Sequence, residues 1–171
     1  MCYDEGMTTS SGDGRDAASW PPAALATLQA ILDESLASGG PAVLDTFDHP
    51  DRRLSAVEFV AFWNDTRLKA MATSGPSGAP HIAPVHAEFV EGRLRSTIYE
   101  NAVRRRDLLS NPRVALTTWG PHGAAAIVHG IAREVPDSLR ETRAGASGRI
   151  RRTVTLEIEV TRIYAMRARE T

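Results

Sequence analysis

The spacing of hydrophobic side chains changes once along the chain, close to Lys69. Before it, apolar residues recur at every third or fourth position, over residues 23–36 and again after Ser55. That is the period of a helix with one buried face. After Lys69, apolar and polar residues alternate, which is the period of a strand with one buried face. The pattern therefore predicts a helical N-terminal part followed by a β-rich part.

The helical part contains two predicted helices. The first covers residues 23–36 and ends before Gly39-Gly40, a pair that stops helices. The second begins after Ser55, because Ser55 and Glu58 have the spacing of a capping box. Between the helices lies a connection rich in Pro and Asp, in which the apolar residues of AVLDTF (42–47) predict a short strand.

The β-rich part contains six predicted strands joined mostly by tight turns. They are AMATS, HIAPVHAEFV, RLRSTIY, RVALTTW, AAAIVHGIAREV and TVTLEIEV. A short helix with Asn101 as its N-cap follows the third strand, and Asn111-Pro112 ends it. The polar stretch 136–149 is expected to contain a helical turn. Hairpin connections imply antiparallel pairing, and six strands with one apolar face favour a barrel over an open sheet. The expected fold is mainly β: a six-stranded antiparallel barrel with two N-terminal helices and one short inserted helix.

Composition limits the class of protein to which this fold can belong. The chain has 171 residues, 42% hydrophobic and 24% charged, as in a soluble globular protein. We divide it into a disordered polar arm (1–20), a helix with its connection (21–53) and the barrel domain (54–171). No apolar run approaches the length of a membrane span, and the N-terminus lacks a signal-peptide pattern, so a cytoplasmic location is expected. Cys2 is the single cysteine, which excludes an intrachain disulfide and a cysteine metal site.

Charge is distributed unevenly. Residues 1–66 carry 11 acidic and 3 basic side chains, whereas residues 67–171 carry 10 acidic and 17 basic ones. Most of these bases are scattered over strand faces and loops, so nucleic-acid binding is not favoured. The exception is a run of three, Arg104 to Arg106, at the start of the inserted helix.

A helix N-terminus attracts anions, because its first N–H groups are unpaired and the helix dipole is positive there. Arg104 falls near the third helical position, and Thr97 and Asn101 add neutral donors. This combination suits a phosphate monoester, which arginine binds with two parallel hydrogen bonds. Arg105 and Arg106 are expected to form a solvated face.

The histidines give weaker signals. His81 and His86 are five residues apart on one predicted strand, so they point to opposite faces and cannot share a metal. His122 lies in a turn and His129 on a strand, and all four are expected to be structural or solvent-facing. The sequence contains no nucleophile elbow, no glycine-rich phosphate loop and no candidate triad. We therefore predict no metal site and assign no catalytic residue; if the protein is an enzyme, a bound cofactor supplies the chemistry.

Three segments together resemble a known family: "RLKAMATSGPSGAPHIAPVHAEFVEGRL", "STIYENAVRRRDLLSNPRVALTTW" and "VHGIAREV". Their order and spacing are similar to the pyridoxamine 5'-phosphate oxidase-like, flavin-binding split-barrel superfamily, which includes deazaflavin (F420)-dependent reductases. The resemblance covers residues 54–167. It implies a homodimer of split barrels with a cofactor groove at the interface, and hydride transfer to a small-molecule substrate.

The resemblance also implies site residues. Arg104 matches the basic residue that holds the cofactor phosphate. Further matches lie on two strands and are expected to contact the isoalloxazine ring or the phosphate: Ala83, Pro84, Val85, His86, Thr97 and Ile98. The cofactor is expected to be FMN, with F420 as the alternative, because both carry a phosphate-bearing side chain and a similar tricycle.

The chain departs from the oxidases at several positions. Ala83 replaces an Arg, Val103 replaces a second basic residue, and Ala125 replaces a Gln that contacts the cofactor. The C-terminal Trp-Arg-Gly signature is absent, so oxidation of pyridoxamine phosphate is not expected. Two hypotheses follow: an FMN- or F420-dependent oxidoreductase, or a non-enzymatic split-barrel protein that binds a flavin, haem or another tetrapyrrole.

Overall fold

The computed structural model describes residues 14–144 and 148–169. The four α-helices of this part are α1 (Pro22–Ala37), α2 (Pro41–Phe47), α3 (Ala56–Asp65) and α4 (Val103–Ser110). The eight strands are β1 (Lys69–Ser74), β2 (Pro80–Val85), β3 (Ala87–Val90), β4 (Arg93–Tyr99), β5 (Arg113–Trp119), β6 (Ala125–Glu134), β7 (Arg140–Ala144) and β8 (Arg149–Met166). None of the described helices is long and apolar enough to cross a membrane.

The strands form a single curled antiparallel sheet. Their order is β2-β1-β5-β6-β8-β4-β3, with β7 paired to β8. The two end strands, β2 and β3, follow each other in the chain with only His86 between them. Because one residue cannot span an open sheet, the two ends are held close together and the sheet curls into a half-barrel. The mainly β, antiparallel prediction is confirmed.

The predicted count of six strands is wrong in two places. HIAPVHAEFV forms two strands, because β2 pairs with β1 whereas β3 pairs with β4, and the chain passes from one end of the sheet to the other at His86. The stretch predicted to contain a helical turn holds β7, which pairs with the start of β8. The described side chains of β7 are all exposed, so no apolar alternation marks it as a strand.

The strand predicted at residues 42–47 is also wrong, because these residues belong to α2. Pro41 occupies the first helical turn and Gly40 precedes it in an extended conformation, an arrangement that favours a helix start. Phe47 at the end of the helix is buried against Tyr164, with 5.9 Å between the ring centroids. Within the described residues from 14 onward, three α-helices, not two, therefore precede the barrel.

The α3 helix begins where the capping box of Ser55 and Glu58 predicts. The Ser55 hydroxyl accepts from the Glu58 amide, and the Glu58 carboxylate accepts from the Ser55 amide, which completes the capping box. Phe59, Val60 and Trp63 on the inner face of α3 are fully buried. This helix closes one side of the barrel core.

Part of the predicted disordered arm is structured. Its residues 1–13 lie outside the described residues, but 14–20 lie against the barrel. The indole Nε1 of Trp20 donates to the Gly14 carbonyl (2.6 Å), and the ring packs on Phe89 with 6.4 Å between centroids. A buried tryptophan with a satisfied N–H anchors the segment, despite its polar neighbours.

Candidate functional site

A groove of about 490 Å³ opens between the start of β2 and the β4–α4 connection. Its lining includes the polar residues His81, Asn101 and Arg104. Its apolar edge is formed by Ile82, Tyr99 and Val103, which are 72%, 47% and 43% exposed. Large exposed apolar side chains beside a half-buried arginine are typical of a binding site rather than of an ordinary surface.

Arg104 lies in the first turn of α4. The N-cap of this helix is Ala102, which provides no capping side chain, so the predicted cap at Asn101 is wrong by one residue. The Ala102 amide instead donates to the Tyr99 carbonyl (3.0 Å) in a turn that places Asn101 before the helix. The helix N-terminus therefore lacks a side-chain acceptor, and its positive end remains available to an anion.

The guanidinium of Arg104 is incompletely satisfied. Its Nε is buried and has no hydrogen-bond partner among the described residues. A buried unpaired N–H carries a desolvation cost of about 1–3 kcal/mol, more when the group is charged. An acceptor that reached this N–H would remove that cost, and an anion at the start of α4 would also meet the positive end of the helix dipole.

The neighbouring arginines behave as the sequence analysis expected. Arg105 forms an ion pair with Glu134 on the surface, with 2.7 Å between Nε and Oε2. Arg106 is exposed. Of the three consecutive arginines, Arg104 alone lines the groove.

Asp107, one turn after Arg104, was not singled out in the sequence. It is 2% exposed and accepts from the Thr73 hydroxyl (2.6 Å), and His81 Nδ1 lies 2.8 Å from the same carboxylate oxygen. The Thr73 hydrogen bond lowers the pKa of Asp107; burial opposes this and the His81 contact adds to it. Asp107 and His81 are 26 residues apart on a helix and a strand, so no local pattern signals their pairing.

The other residues predicted for the site lie in three environments. On β2, Val85 is buried and Ala83 half-buried, whereas Pro84 is exposed on the opposite face. His86 is exposed at the β2–β3 junction, where its Nδ1 lies 3.1 Å from the Arg67 carbonyl oxygen. On β4, Thr97 is exposed and Ile98 is buried in the core. None of these six lines the groove with Arg104, although Ile82 of the same β2 strand does.

The outward face of the sheet beside the groove is almost free of charge. Outward positions on β2, β1 and β5 carry Pro80, Ile82, Pro84, Ala70, Ala72, Ser74, Arg113, Ala115, Thr117 and Trp119. Arg113 is the one charged side chain in that set, and it lies at the end of β5. Ile82 belongs both to this face and to the groove. The groove therefore opens at the border of an apolar sheet face.

Comparisons with known proteins agree with this architecture. The family model for pyridoxamine 5'-phosphate oxidase matches residues 56–167, more than half of the chain. No curated protein sequence matches significantly.

Several solved structures share the fold at low sequence identity. A conserved hypothetical protein from Mycobacterium tuberculosis has a TM-score of 0.57 at 16% identity, over 69% of this chain and 88% of that one. An FAD-binding protein from Mesorhizobium loti has a TM-score of 0.52 at 18% identity, over 69% and 99%. A haem storage protein from Vibrio cholerae has a TM-score of 0.50 at 12% identity, over 64% and 92%. These likenesses concern the fold alone.

Proposed function

The chain belongs to the pyridoxamine 5'-phosphate oxidase family, and from this premise we propose that it is an oxidoreductase that uses FMN, or alternatively F420, for hydride transfer to a small molecule. The observation that carries the proposal is the buried, unpaired Nε of Arg104 beside the groove. It is a donor that lacks an acceptor within the described fold, at a helix end that favours an anion.

The residues at this end of the groove fit a cofactor phosphate. Arg104 offers charge-assisted hydrogen bonds, each about twice as strong as a neutral one. The first turn of α4 adds backbone N–H groups with no capping side chain. This chain would thus bind the phosphate through Arg104 and the helix N-terminus together.

The rest of the groove suits an aromatic ring. Ile82, Tyr99 and Val103 would cover the ring and exclude water from it. A bound flavin or deazaflavin supplies the hydride chemistry. The protein then needs only to bind the cofactor, orient the substrate against it and exclude water from the ring. Ring contacts by Ala83, Pro84, Val85, His86, Thr97 and Ile98 remain predictions.

We further propose that the protein is a homodimer with the groove at its interface. What supports this is the apolar outward face of β1, β2 and β5, which a second copy would cover. Ala72 lies on this face, paired with Ala115 and Ile82. An Ala72→Arg variant is therefore expected to elute as a monomer in size-exclusion chromatography with light scattering, whereas a wild-type monomer would contradict the proposal.

A second candidate is a non-enzymatic binding protein for a flavin, haem or another tetrapyrrole. The observation that favours it is the lack of polar side chains at Ala83 and Ala125, where the oxidases carry an Arg and a Gln that contacts the cofactor. Turnover of any acceptor by the protein loaded with reduced cofactor would exclude this candidate.

The test of the proposed function is a binding measurement. We expect the protein purified from a host that makes the cofactor to be coloured, or the apoprotein to bind added FMN or F420 at tens of micromolar. Quenching of flavin fluorescence measures FMN binding, and an absorbance titration measures F420 binding. Binding of neither cofactor would contradict the proposal, and binding of haem alone would favour the second candidate.

A further inference from the structure

A hydrogen-bonded set of three side chains lies directly behind the groove. Asp107 of α4 joins Thr73 of β1 to His81 of β2 through one carboxylate oxygen. Its side chain is 3% exposed, whereas that of His81 is 43% exposed. The Asp107 carboxylate thus lies on the buried side of the imidazole, and the imidazole separates the carboxylate from the groove.

This arrangement fixes where the imidazole carries its protons. Two hydrogen bonds keep Asp107 ionised and the pKa of its carboxyl low, so it acts as an acceptor. His81 Nδ1 must therefore carry a proton to make the 2.8 Å contact. In neutral His81, Nε2 then has a lone pair and repels an anion; in the imidazolium, Nε2 is a charged donor.

Arg104 and Asp107 are three residues apart on α4, and Arg104 and His81 both line the groove. A buried carboxylate behind the imidazole offsets the repulsion between the two cations. Among the described residues, Arg106 also acts on Asp107 through its charge, and Tyr99 lies on the rim of the groove. Thr73 on β1 contributes a hydroxyl but no charge.

We propose that Arg104 and His81 together form a two-point site for a phosphate monoester, in which His81 binds only when it is doubly protonated. Asp107 is the positioning residue that imposes this condition. Affinity for the phosphate therefore contains a contribution that requires the imidazolium form and decreases as pH rises. This inference rests on the proposed cofactor function and adds to it a second ligand and a pH dependence.

The experiment compares FMN with riboflavin, which has the same ring but no phosphate. Dissociation constants are measured by fluorescence for wild type, His81→Gln, Asp107→Asn and Arg104→Ala at about pH 5.5 and about pH 8.5, either side of the histidine range. The phosphate itself titrates near pH 6, so the readout is the ratio of variant to wild type at each pH, which cancels that titration.

We expect His81→Gln to weaken FMN binding by roughly tenfold at the lower pH, the effect of one charge-assisted hydrogen bond, and by less than about twofold at the higher pH. Riboflavin binding should be unchanged at both. Asp107→Asn, whose amide can donate to Nδ1 and so allow the other tautomer, should flatten the pH dependence. Equal FMN affinities of wild type and His81→Gln at the lower pH would overturn the inference.

A reciprocal measurement on the wild-type protein avoids any doubt about folding of the variants. Because linkage is symmetric, saturation with FMN must raise the pH at which His81 loses its proton, as seen in its ring NMR signals. An unchanged titration midpoint would overturn the inference. If Arg104→Ala weakens FMN binding but His81→Gln does not, the proposed function stands and this inference fails; if wild type binds no FMN or F420, the proposed function fails.

Discussion

Two basic side chains of this protein lie at opposite kinds of helix end. Lys69 follows the C-terminus of α3, and its Nζ donates to the carbonyl oxygens of Trp63 (2.6 Å) and Thr66. Arg104 lies in the first turn of α4, with its Nε buried and unpaired in the described part of the chain. One cation is satisfied by the fold, and the other is not.

The difference follows from the helix dipole. Unpaired carbonyl oxygens at a C-terminus accept from a cation, so Lys69 stabilises the end of α3. An N-terminus presents N–H groups and positive charge, so Arg104 adds a second positive charge where the dipole is already positive. A cation at the first kind of end finds acceptors in the helix itself, whereas one at the second kind finds none there.

Residue type supports the same distinction. Lys69 is the only lysine in the chain, beside 19 arginines. It is 1% exposed, and burial lowers its pKa to about 8. Lysine can lose its proton where charge is costly, whereas arginine keeps its charge and offers a planar fork that matches phosphate. The buried structural position therefore carries the lysine and the groove carries an arginine.

The largest expected effect is on folding at Lys69. Lys69→Ala removes the donor for two carbonyl oxygens and leaves a cavity beneath α3, so the free energy of unfolding should fall by about 2–4 kcal/mol. Urea denaturation followed by tryptophan fluorescence measures this change. An unchanged midpoint would mean that Lys69 is not a structural cation.

A somewhat smaller effect is expected from pH. Because the pKa of Lys69 is lowered from 10.5 to about 8, the unfolded chain binds more protons between these values. The free energy of unfolding should therefore gain up to about 3 kcal/mol as pH rises through this window. Lys69→Met, which lacks the titrating group, should lose that increment relative to wild type when both are denatured in urea at each pH. Parallel pH curves for the two proteins would contradict the burial of a charged lysine.

At Arg104 we expect almost no loss of stability. Arg104→Met removes a cation that opposes the helix dipole, so the free energy of unfolding should stay within about 1 kcal/mol of wild type or rise slightly. The same urea experiment measures it. A loss of unfolding free energy as large as that of Lys69→Ala would show that Arg104 is a structural residue. It would contradict the distinction drawn between Arg104 and Lys69.

The smallest effects are expected at the surface. Arg105→Ala breaks an exposed ion pair with Glu134, which is worth about 0–1 kcal/mol. We expect stability within about 0.5 kcal/mol and FMN affinity within about twofold of wild type. This variant is the matched control for Arg104, because it removes the same charge one residue away. A tenfold loss of affinity would show that net charge, not geometry, attracts the ligand.

Features with a local cause could be predicted from the sequence. The alternation of apolar and polar residues predicted β4 over Arg93–Tyr99, and the capping box placed the start of α3 at Ser55. Each depends on residues within one strand or one helical turn. Arg104 could be found for the same reason, since a basic residue in the first turn of a helix is a local pattern.

Features that depend on long-range pairing could not be predicted from the sequence. The contact of His81 with Asp107 joins a strand to a helix, and β7 is a strand only because β8 extends far enough to pair with it. The six residues before Asp48, AVLDTF, fit a strand or a short helix equally, and the packing of Phe47 on Tyr164 decides the outcome. In each case the deciding partner is distant in the chain.

The most direct test of the central claim is an FMN titration of Arg104→Ala beside wild type, with riboflavin as the ligand that lacks phosphate. We expect the variant to lose FMN affinity by roughly ten- to a hundredfold, the effect of one or two charged hydrogen bonds, and to bind riboflavin as wild type does. Equal FMN affinities in the two proteins would contradict the claim that Arg104 holds a cofactor phosphate.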